Sequence, residues 1–228
     1  MTKSIVVVGA SRGIGKAIVE LLASDPHNKV VALGRNLEKM ERNFASFANV
    51  SCAALDLESD HVRERCTEIF GNLTGINILI NNAGLLVNKP LDQLTHHDLT
   101  TSYQVNVIGV METIQAALPK MHEAHVVNIS SMGGFQGSMK FPGLAAYSTS
   151  KAALCSFTEL FAEEYKETTI KMNCLCLGAA QTEMLETAFP GYIAPMSAKK
   201  MAEYITDFAL NAHQWMNGKI IPVSLSTP

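Results

Sequence analysis

The chain has 228 residues, 47% of them hydrophobic and 17% charged, which suits a single α/β domain over 1–228 with a sizeable core. Its 18 basic and 21 acidic residues leave a net charge of −3, so no broad cationic face is offered to nucleic acid, which is not an expected partner. The apolar run Ile5-Val6-Val7-Val8 is too short for a secretory leader, and no stretch approaches the roughly 18 apolar residues of a membrane span; a cytoplasmic protein without membrane contact is expected.

Taken in chain order, short β-branched runs alternate with longer amphipathic patterns. Residues 4–8 read as a strand in which Val6-Val7-Val8 is apolar on both faces, as in a parallel sheet covered on each side. It runs into Gly9-Ala10-Ser11-Arg12-Gly13-Ile14-Gly15 and a helical pattern over 13–24. Glycine lets the backbone turn sharply and approach a pyrophosphate, which the free amides of a helix N-terminus can hold; such a turn can also serve only to pack helix on strand. A second strand, 29–33, ends at Gly34-Arg35-Asn36, before a helix over 37–47 whose Leu37, Met40, Phe44 and Phe47 share a face. An acid at position 34 would accept from ribose hydroxyls and repel an added phosphate. Here glycine stands there, Arg35 follows, and Arg12 lies in the first turn, which favours NADP over NAD. The third strand, 50–55, leads to Asp56 and Leu57, and Asp56 can reach an adenine edge or cap its own loop.

A helix over 60–73 and a strand over 76–80 precede the turn-prone Asn81-Asn82-Ala83-Gly84. Asn106 sits inside a long helical pattern, 95–121, where an amide is mildly unfavourable; it either faces solvent or marks a bend that holds water near Lys151. The strand 125–129 leaves Ser130 and Ser131 at its carboxyl end. Tyr147-Ser148-Thr149-Ser150-Lys151 opens a helix over 144–167, and a spacing of four places Tyr147 and Lys151 on one face. The ammonium is expected to lower the phenol from its ordinary value, so that Tyr147 can protonate a carbonyl oxygen while hydride reaches the carbon. Tyr-x-x-x-Lys by itself is common and usually structural. A strand over 171–177, a helix over 198–212 and a strand over 219–223 complete an α/β, doubly wound parallel sheet of about seven strands with helices on both faces. The segments 85–94, 132–143 and 181–195 each follow a strand and should gather at the carboxyl edge, where such folds bind ligands.

Five cysteines, Cys52, Cys66, Cys155, Cys174 and Cys176, are an odd number in a chain large enough to fold without staples, so free thiols are expected. Cys174-Leu175-Cys176 alternates within a strand pattern and lacks a second ligand pair at zinc spacing; it reads as core, and no metal is expected.

Gly9-x-x-x-Gly13-x-Gly15, Asn81-Asn82-Ala83-Gly84, Asn106, Ser131 and Tyr147-x-x-x-Lys151, in this order over residues 5–184, resemble the short-chain dehydrogenase/reductase family, which has a Rossmann fold. The resemblance implies that Tyr147 is the catalytic acid/base, Lys151 tunes it and binds the nicotinamide ribose, Ser131 orients the carbonyl, and Asn106 holds a relay water. It implies a cofactor site of Gly9, Ser11, Arg12, Gly13, Ile14, Gly15, Arg35, Asn36, Asp56, Leu57, Asn82, Ala83, Gly84, Tyr147, Lys151, Gly178, Ala180 and Thr182, with Thr182 on the nicotinamide carboxamide. Val8 stands where a Thr is common, removing one hydroxyl from the turn. Leu177 replaces a usual Pro, which would loosen the segment after it. A longer loop separates Ser131 from Tyr147 than in many members, and a displaced Ser131 would leave its role to Ser130 or Ser138. That loop and the ending Asn217-Gly218-Lys219 are more similar to the carbonyl, benzil and sepiapterin reductase branches.

The function expected is NADPH-dependent reduction of a ketone or aldehyde. Its alternatives are reduction of a 3-oxoacyl thioester and a non-catalytic NADP-binding sensor or scaffold. Leu85, Leu86, Phe135, Phe141, Met184, Phe189 and Tyr192 suggest a small, partly apolar carbonyl substrate, and the family resemblance implies a homo-oligomer, dimer or tetramer.

Overall fold

Strands that must bury both faces need helices above and below, and the chain alternates accordingly. The structure, a computed structural model, describes residues 2–225; residues 1 and 226–228 of the expected domain lie outside the described residues. The elements run β1 (Lys3–Val8), α1 (Gly13–Ala23), β2 (Asn28–Gly34), α2 (Leu37–Phe44), β3 (Val50–Ala54), α3 (Val62–Gly71), β4 (Ile78–Asn81), α4 (His96–Tyr103), α5 (Gly109–Ala117), β5 (Ala124–Ser131), α6 (Ala145–Glu164), β6 (Ile170–Leu177), β7 (Ala180–Gln181), α7 (Glu183–Ala188), β8 (Met196–Ser197), α8 (Ala198–Asn211) and β9 (Ile220–Val223). Seven strands form one parallel sheet in the order β3-β2-β1-β4-β5-β6-β9, and β7 pairs with β8 beside it.

The two-faced apolar runs divide as the pleat requires. Ile5 and Val7 join Ile18, Val19 and Leu22 of α1 and Ile205 and Phe208 of α8 on one face; Val6 and Val8 join Phe70 of α3, Ile114 of α5 and Leu154 of α6 on the other. Ile18, Val19 and Leu22 are at most 1% exposed, and each such side chain contributes about 1.5–3 kcal/mol by leaving water. Met40 and Phe44 of α2 are buried, with Leu37 and Phe47 packed beside them, so the shared face of that helix seals the sheet edge.

Buried amides lock the centre of the sheet. Asn81 Nδ2 donates to Asn128 Oδ1 at 2.9 Å, and Asn128 Nδ2 donates to Thr158 Oγ1 at 3.0 Å, which joins β4, β5 and α6 across a dry layer. Lys89 forms a 2.7 Å ion pair with Asp98 and so ties the irregular stretch after β4 to the first turn of α4. Hydrogen bonds from Lys89 and Thr95 hold the Asp98 carboxyl well below the usual carboxylate range.

The long helix expected over 95–121 is interrupted. A π turn spans Gln104–Ile108, where Gly109 N–H reaches back to the Gln104 carbonyl, and a 3-10 turn at Leu118–Lys120 ends the segment. Gly109 sits so close to Leu57 that an added Cβ would come within 3.0 Å of it, and the extra residue of the π turn re-aims Asn106 inward. The stretch 181–195, unassigned by periodicity, holds the short helix α7 and leads into β8. Among the described residues no helix is long and apolar enough to cross a membrane.

Candidate active site

The sheet order reverses between β1 and β4, and a cleft of about 690 Å3 opens there at the strand ends. At one end lies the glycine turn. Gly9 and Gly13 adopt φ of +84° and +54°, in the left-handed region that side chains disfavour. A Cβ on Gly15 would stand 2.1 Å from the Gly9 carbonyl oxygen, so Gly15 packs α1 onto the strand and does not line the cleft. With no hydroxyl at Val8, the turn is held by backbone and by the Asn82 side chain: Gly9 and Ala10 N–H both donate to Leu33 O, at 2.8 and 3.0 Å, and Asn82 Nδ2 donates to Gly9 O at 3.0 Å. Arg12 is the N-cap of α1 in an extended conformation, and no side chain caps that helix. Uncapped first-turn amides behind a glycine cradle fit the pyrophosphate of a dinucleotide.

Arg12 and Arg35 are exposed and line the same end of the cleft. Neither guanidinium has an ion-pair partner among the described residues. Asp56 also lines this end, and its Oδ1 accepts from Glu58 N–H at 3.1 Å, so the carboxylate caps its own loop while facing the cleft. The Asn36 side chain accepts from Lys39 N–H as the N-cap of α2, and Asn36 is not among the residues that line the cleft. Ser11, Ile14, Leu57, Ala83, Gly178, Ala180 and Thr182 all line it. The segment after Leu177 is not loosened by the absent proline: Gly178 N–H donates to Val223 O at 2.9 Å, and a Cβ there would strike Ser224. Thr182 Oγ1 accepts from Leu185 N–H as the cap of α7, and its hydroxyl proton remains to donate.

At the other end, Ser131, Tyr147 and Lys151 converge. β5 delivers Ser131 to the sheet edge, and the first turns of α6 deliver the other two. The Ser131 hydroxyl stands close enough to the Tyr147 phenol to act on its pKa, pulling it down against burial. Ser130, although it lines the cleft, donates its hydroxyl proton to the Lys151 carbonyl at 2.8 Å, and Ser138, which does not line the cleft, donates to the Phe135 carbonyl at 2.9 Å. The longer loop therefore leaves Ser131 in place.

Lys151 is 3% exposed and its Nζ donates to Ile129 O at 2.8 Å. Burial pulls its pKa down to about 8, opposed by the charges of Cys174, Cys155 and Cys176. The expected lowering of Tyr147 is not found in this protein. Burial pushes the phenol up, the Ser131 hydroxyl opposes this, and Cys176 adds to the rise. The physical reason is geometric: in the protein alone the ammonium is satisfied by a backbone carbonyl rather than by the phenol.

Asn106 is fully buried behind the cleft wall. Its Nδ2 donates to Leu85 O and Ser150 Oγ, both at 2.9 Å, and its Oδ1 accepts from Leu85 N–H at 2.8 Å. Both donors are thus occupied, and one lone pair of Oδ1 remains on the side of Gly84, where Lys151 Nζ also approaches. Ser150 was not singled out by sequence reasoning. It lies inside the Tyr-x-x-x-Lys stretch, but its partner is 44 residues away. Glu183 was missed as well; its carboxylate lines the cleft beside Gly13. Leu85, Leu86, Phe141, Met184, Phe189 and Tyr192 line the open end as expected, together with Met139, Leu144 and Leu185, whereas Phe135 packs elsewhere, beside Met132.

Comparison with known proteins agrees with this geometry. A family model described as short chain dehydrogenase matches residues 3–192. Carbonyl reductase family member 4 of Xenopus tropicalis is 31% identical over 188 residues, covering 81% of this chain and 78% of its own. A 3-oxoacyl-(acyl-carrier-protein) reductase of Aquifex aeolicus is 31% identical over 186 residues, covering 78% and 74% respectively. A short chain dehydrogenase of Burkholderia cenocepacia, solved in complex with NADP, superposes with a TM-score of 0.87 at 25% identity, covering 98% of this chain and 97% of that one.

Proposed function

The chain belongs to the short-chain dehydrogenase family and is an oxidoreductase, and on that premise we propose that it reduces a ketone or aldehyde to an alcohol with NADPH, Tyr147 supplying the proton. One observation carries the reading: two unpaired guanidiniums, Arg12 and Arg35, and the Ser131–Tyr147–Lys151 set line one cleft. The cofactor, when bound, supplies hydride to the carbonyl carbon. The residues of the chain do the rest. The Tyr147 phenol carries its proton at neutral pH and can serve as the acid of a reduction; its raised pKa makes it a weaker donor than a free phenol, so release of the proton leans on the charge of Lys151. Ser131, beside that phenol, orients the substrate oxygen toward it. Lys151 offsets the charge that develops on Tyr147 as the proton leaves, and Asn106 holds the Leu85 wall and the relay side of Gly84. Leu86, Phe141, Met184 and Tyr192 give the cleft an apolar wall and favour a neutral, partly apolar substrate.

Reduction of a 3-oxoacyl thioester is the second reading, favoured by the Aquifex relative. Against it, the two lysines nearest the segments after β4 and β5 are engaged: Lys89 is paired with Asp98, and Lys140 donates to the Phe135 carbonyl. Exposed Leu99, Tyr103, Ile108 and Leu160 on α4, the π turn and α6 support a homo-oligomer. All five cysteines are free thiols, which suits a reducing, cytosol-like compartment.

The test is consumption of NADPH by the purified protein with ketones, diketones, quinones and aldehydes beside a 3-oxoacyl thioester. Turnover of the free carbonyls, lost on Tyr147→Phe by at least about 100-fold with an unchanged melting curve, supports the reading. Undiminished turnover by Tyr147→Phe sinks the mechanism, preference for the thioester moves the protein to the second reading, and NADPH binding without turnover denies catalysis.

A further inference from the structure

Beneath Lys151, three thiols that lie far apart in sequence meet. Cys155 lies one turn beyond Lys151 on α6, and Cys174 and Cys176 point up at it from β6. Cys155 Sγ is 3.9 Å from Cys174 Sγ and 3.5 Å from Cys176 Sγ, and all three sulfurs fall within 4.8 Å of one another. A metal held at the usual ~2.3 Å metal–thiolate bond length sets its sulfurs roughly 3.8–4.0 Å apart, whether trigonal or tetrahedral. Two of the three spacings, 3.9 and 3.5 Å, fall at or just below that range, and the third lies within 4.8 Å, so a small adjustment brings the sulfurs onto one face of a coordination polyhedron. Cys174 and Cys176 are fully buried and Cys155 is 8% exposed.

The geometry points to a binding site for a soft, thiophilic monovalent cation of the Cu(I) class, held by Cys155, Cys174 and Cys176. The chemistry selects that class over harder ions. No histidine or carboxylate joins the three sulfurs among the described residues, while the Met132 side chain packs in the same buried cluster. All-sulfur sets of thiolate with thioether suit Cu(I), whereas a closed zinc site calls for a fourth strong ligand. Charge does not select the ion, since Zn(II) with three thiolates would leave only −1; the selection rests on the donor set. One Cu(I) with three thiolates carries a net −2, and the Lys151 ammonium, which interacts electrostatically with all three sulfurs, offsets half. Loading exchanges three S–H bonds for three Cu–S bonds, sends three protons to solvent and leaves the oxidation state of copper unchanged. Cys155 would then cease to donate to Ser130 Oγ, which it now meets at 3.4 Å. The other outcome is that the thiols act only as small apolar core side chains.

The experiment uses the full chain, reduced by a phosphine under nitrogen, with Cu(I) offered as its bicinchoninate complex and Zn(II) in parallel. The expected result is withdrawal of one Cu(I) per chain from the chelator, a new near-ultraviolet thiolate-to-copper absorption band and a raised melting temperature. The Cys52→Ser/Cys66→Ala variant should retain all three signals, and Cys176→Val should weaken retention by at least about 100-fold. Should Cys176→Val not fold, Cys155→Ala on the helix makes the same comparison. The proposal is overturned if the chelator keeps its copper, if loss of a triad thiol leaves retention unchanged, or if Zn(II) is held as tightly.

Discussion

The Asn106 carboxamide grips the Leu85 backbone from both sides, accepting from its N–H at 2.8 Å and donating to its carbonyl at 2.9 Å. A single side chain in a π turn thereby substitutes for a sheet neighbour and holds the wall of the cleft beside Lys151. Asn106→Ala removes these two bonds and that to Ser150. At about 1 kcal/mol net for each bond, the loss comes to about 3 kcal/mol, and the melting temperature should fall by roughly 5–10 °C. Turnover should fall with it, because Leu85 and Gly84 lose their seat. A calorimetric scan checks the first effect; an unchanged melt would show that the grip contributes nothing.

Lys151 is held for chemistry at the expense of stability. Its native pKa is about 8 against 10.5 for the ordinary side chain, a difference equivalent to about 3 kcal/mol against the charged form at neutral pH. An unfolded lysine keeps its proton up to 10.5 while the native one releases it near 8. The unfolded lysine therefore binds more protons in that window, and the Lys151 contribution to stability should rise as pH is raised from 8 toward 10.5, set against the opposite contribution of the buried Cys66 and Cys176 thiols, which are held above their ordinary value. Lys151→Met should flatten this rise, raise the melting temperature by roughly 5 °C at neutral pH, and lower turnover by at least about 100-fold. Denaturant titrations at several pH values compare the two proteins.

Activity should also decline on the alkaline side. Tyr147 is pushed above its ordinary value whereas Lys151 is brought down to about 8, so loss of the ammonium precedes loss of the phenolic proton. The profile of kcat/KM against pH should bend downward near 8. A profile flat to pH 10 would remove Lys151 from the reaction.

Arg12 and Arg35 should decide which dinucleotide is used. Charge-assisted bonds to a phosphate contribute about 1.5–3 kcal/mol each, so Arg35→Ala and Arg12→Ala should each raise KM for NADPH by roughly 10–100-fold. KM for NADH should stay the same. Parallel kinetics with the two cofactors read this directly, and an equal rise for both would locate the arginines elsewhere than at the added phosphate.

Gly15→Ala should damage binding through packing alone. The new Cβ would lie 2.1 Å from Gly9 O and 2.5 Å from Asn82 Nδ2, contacts that backbone must move to relieve at about 1–3 kcal/mol. Because Gly9 shapes the phosphate turn, NADPH affinity should fall more than stability does; fluorescence titration beside a thermal melt separates the two.

Much of this protein could be read along the chain, because the demands involved are local. Val6-Val7-Val8 needs cover on both faces wherever it lies, so a parallel sheet follows. Glycines at 9 and 13 announce backbone that side chains would not tolerate, and a spacing of four puts Tyr147 and Lys151 on one helix face in any context. What required the tertiary structure is pairing between elements. The partners of Asn106, 21 and 44 residues away, depend on how a π turn docks against α6. The hold of Ile129 O on Lys151, which leaves Tyr147 raised rather than lowered, depends on the height of α6 above β5. Cys155 joins Cys174 and Cys176 for the same reason. Such contacts are set by the approach of one rigid element to another, and no periodicity within either element records that distance.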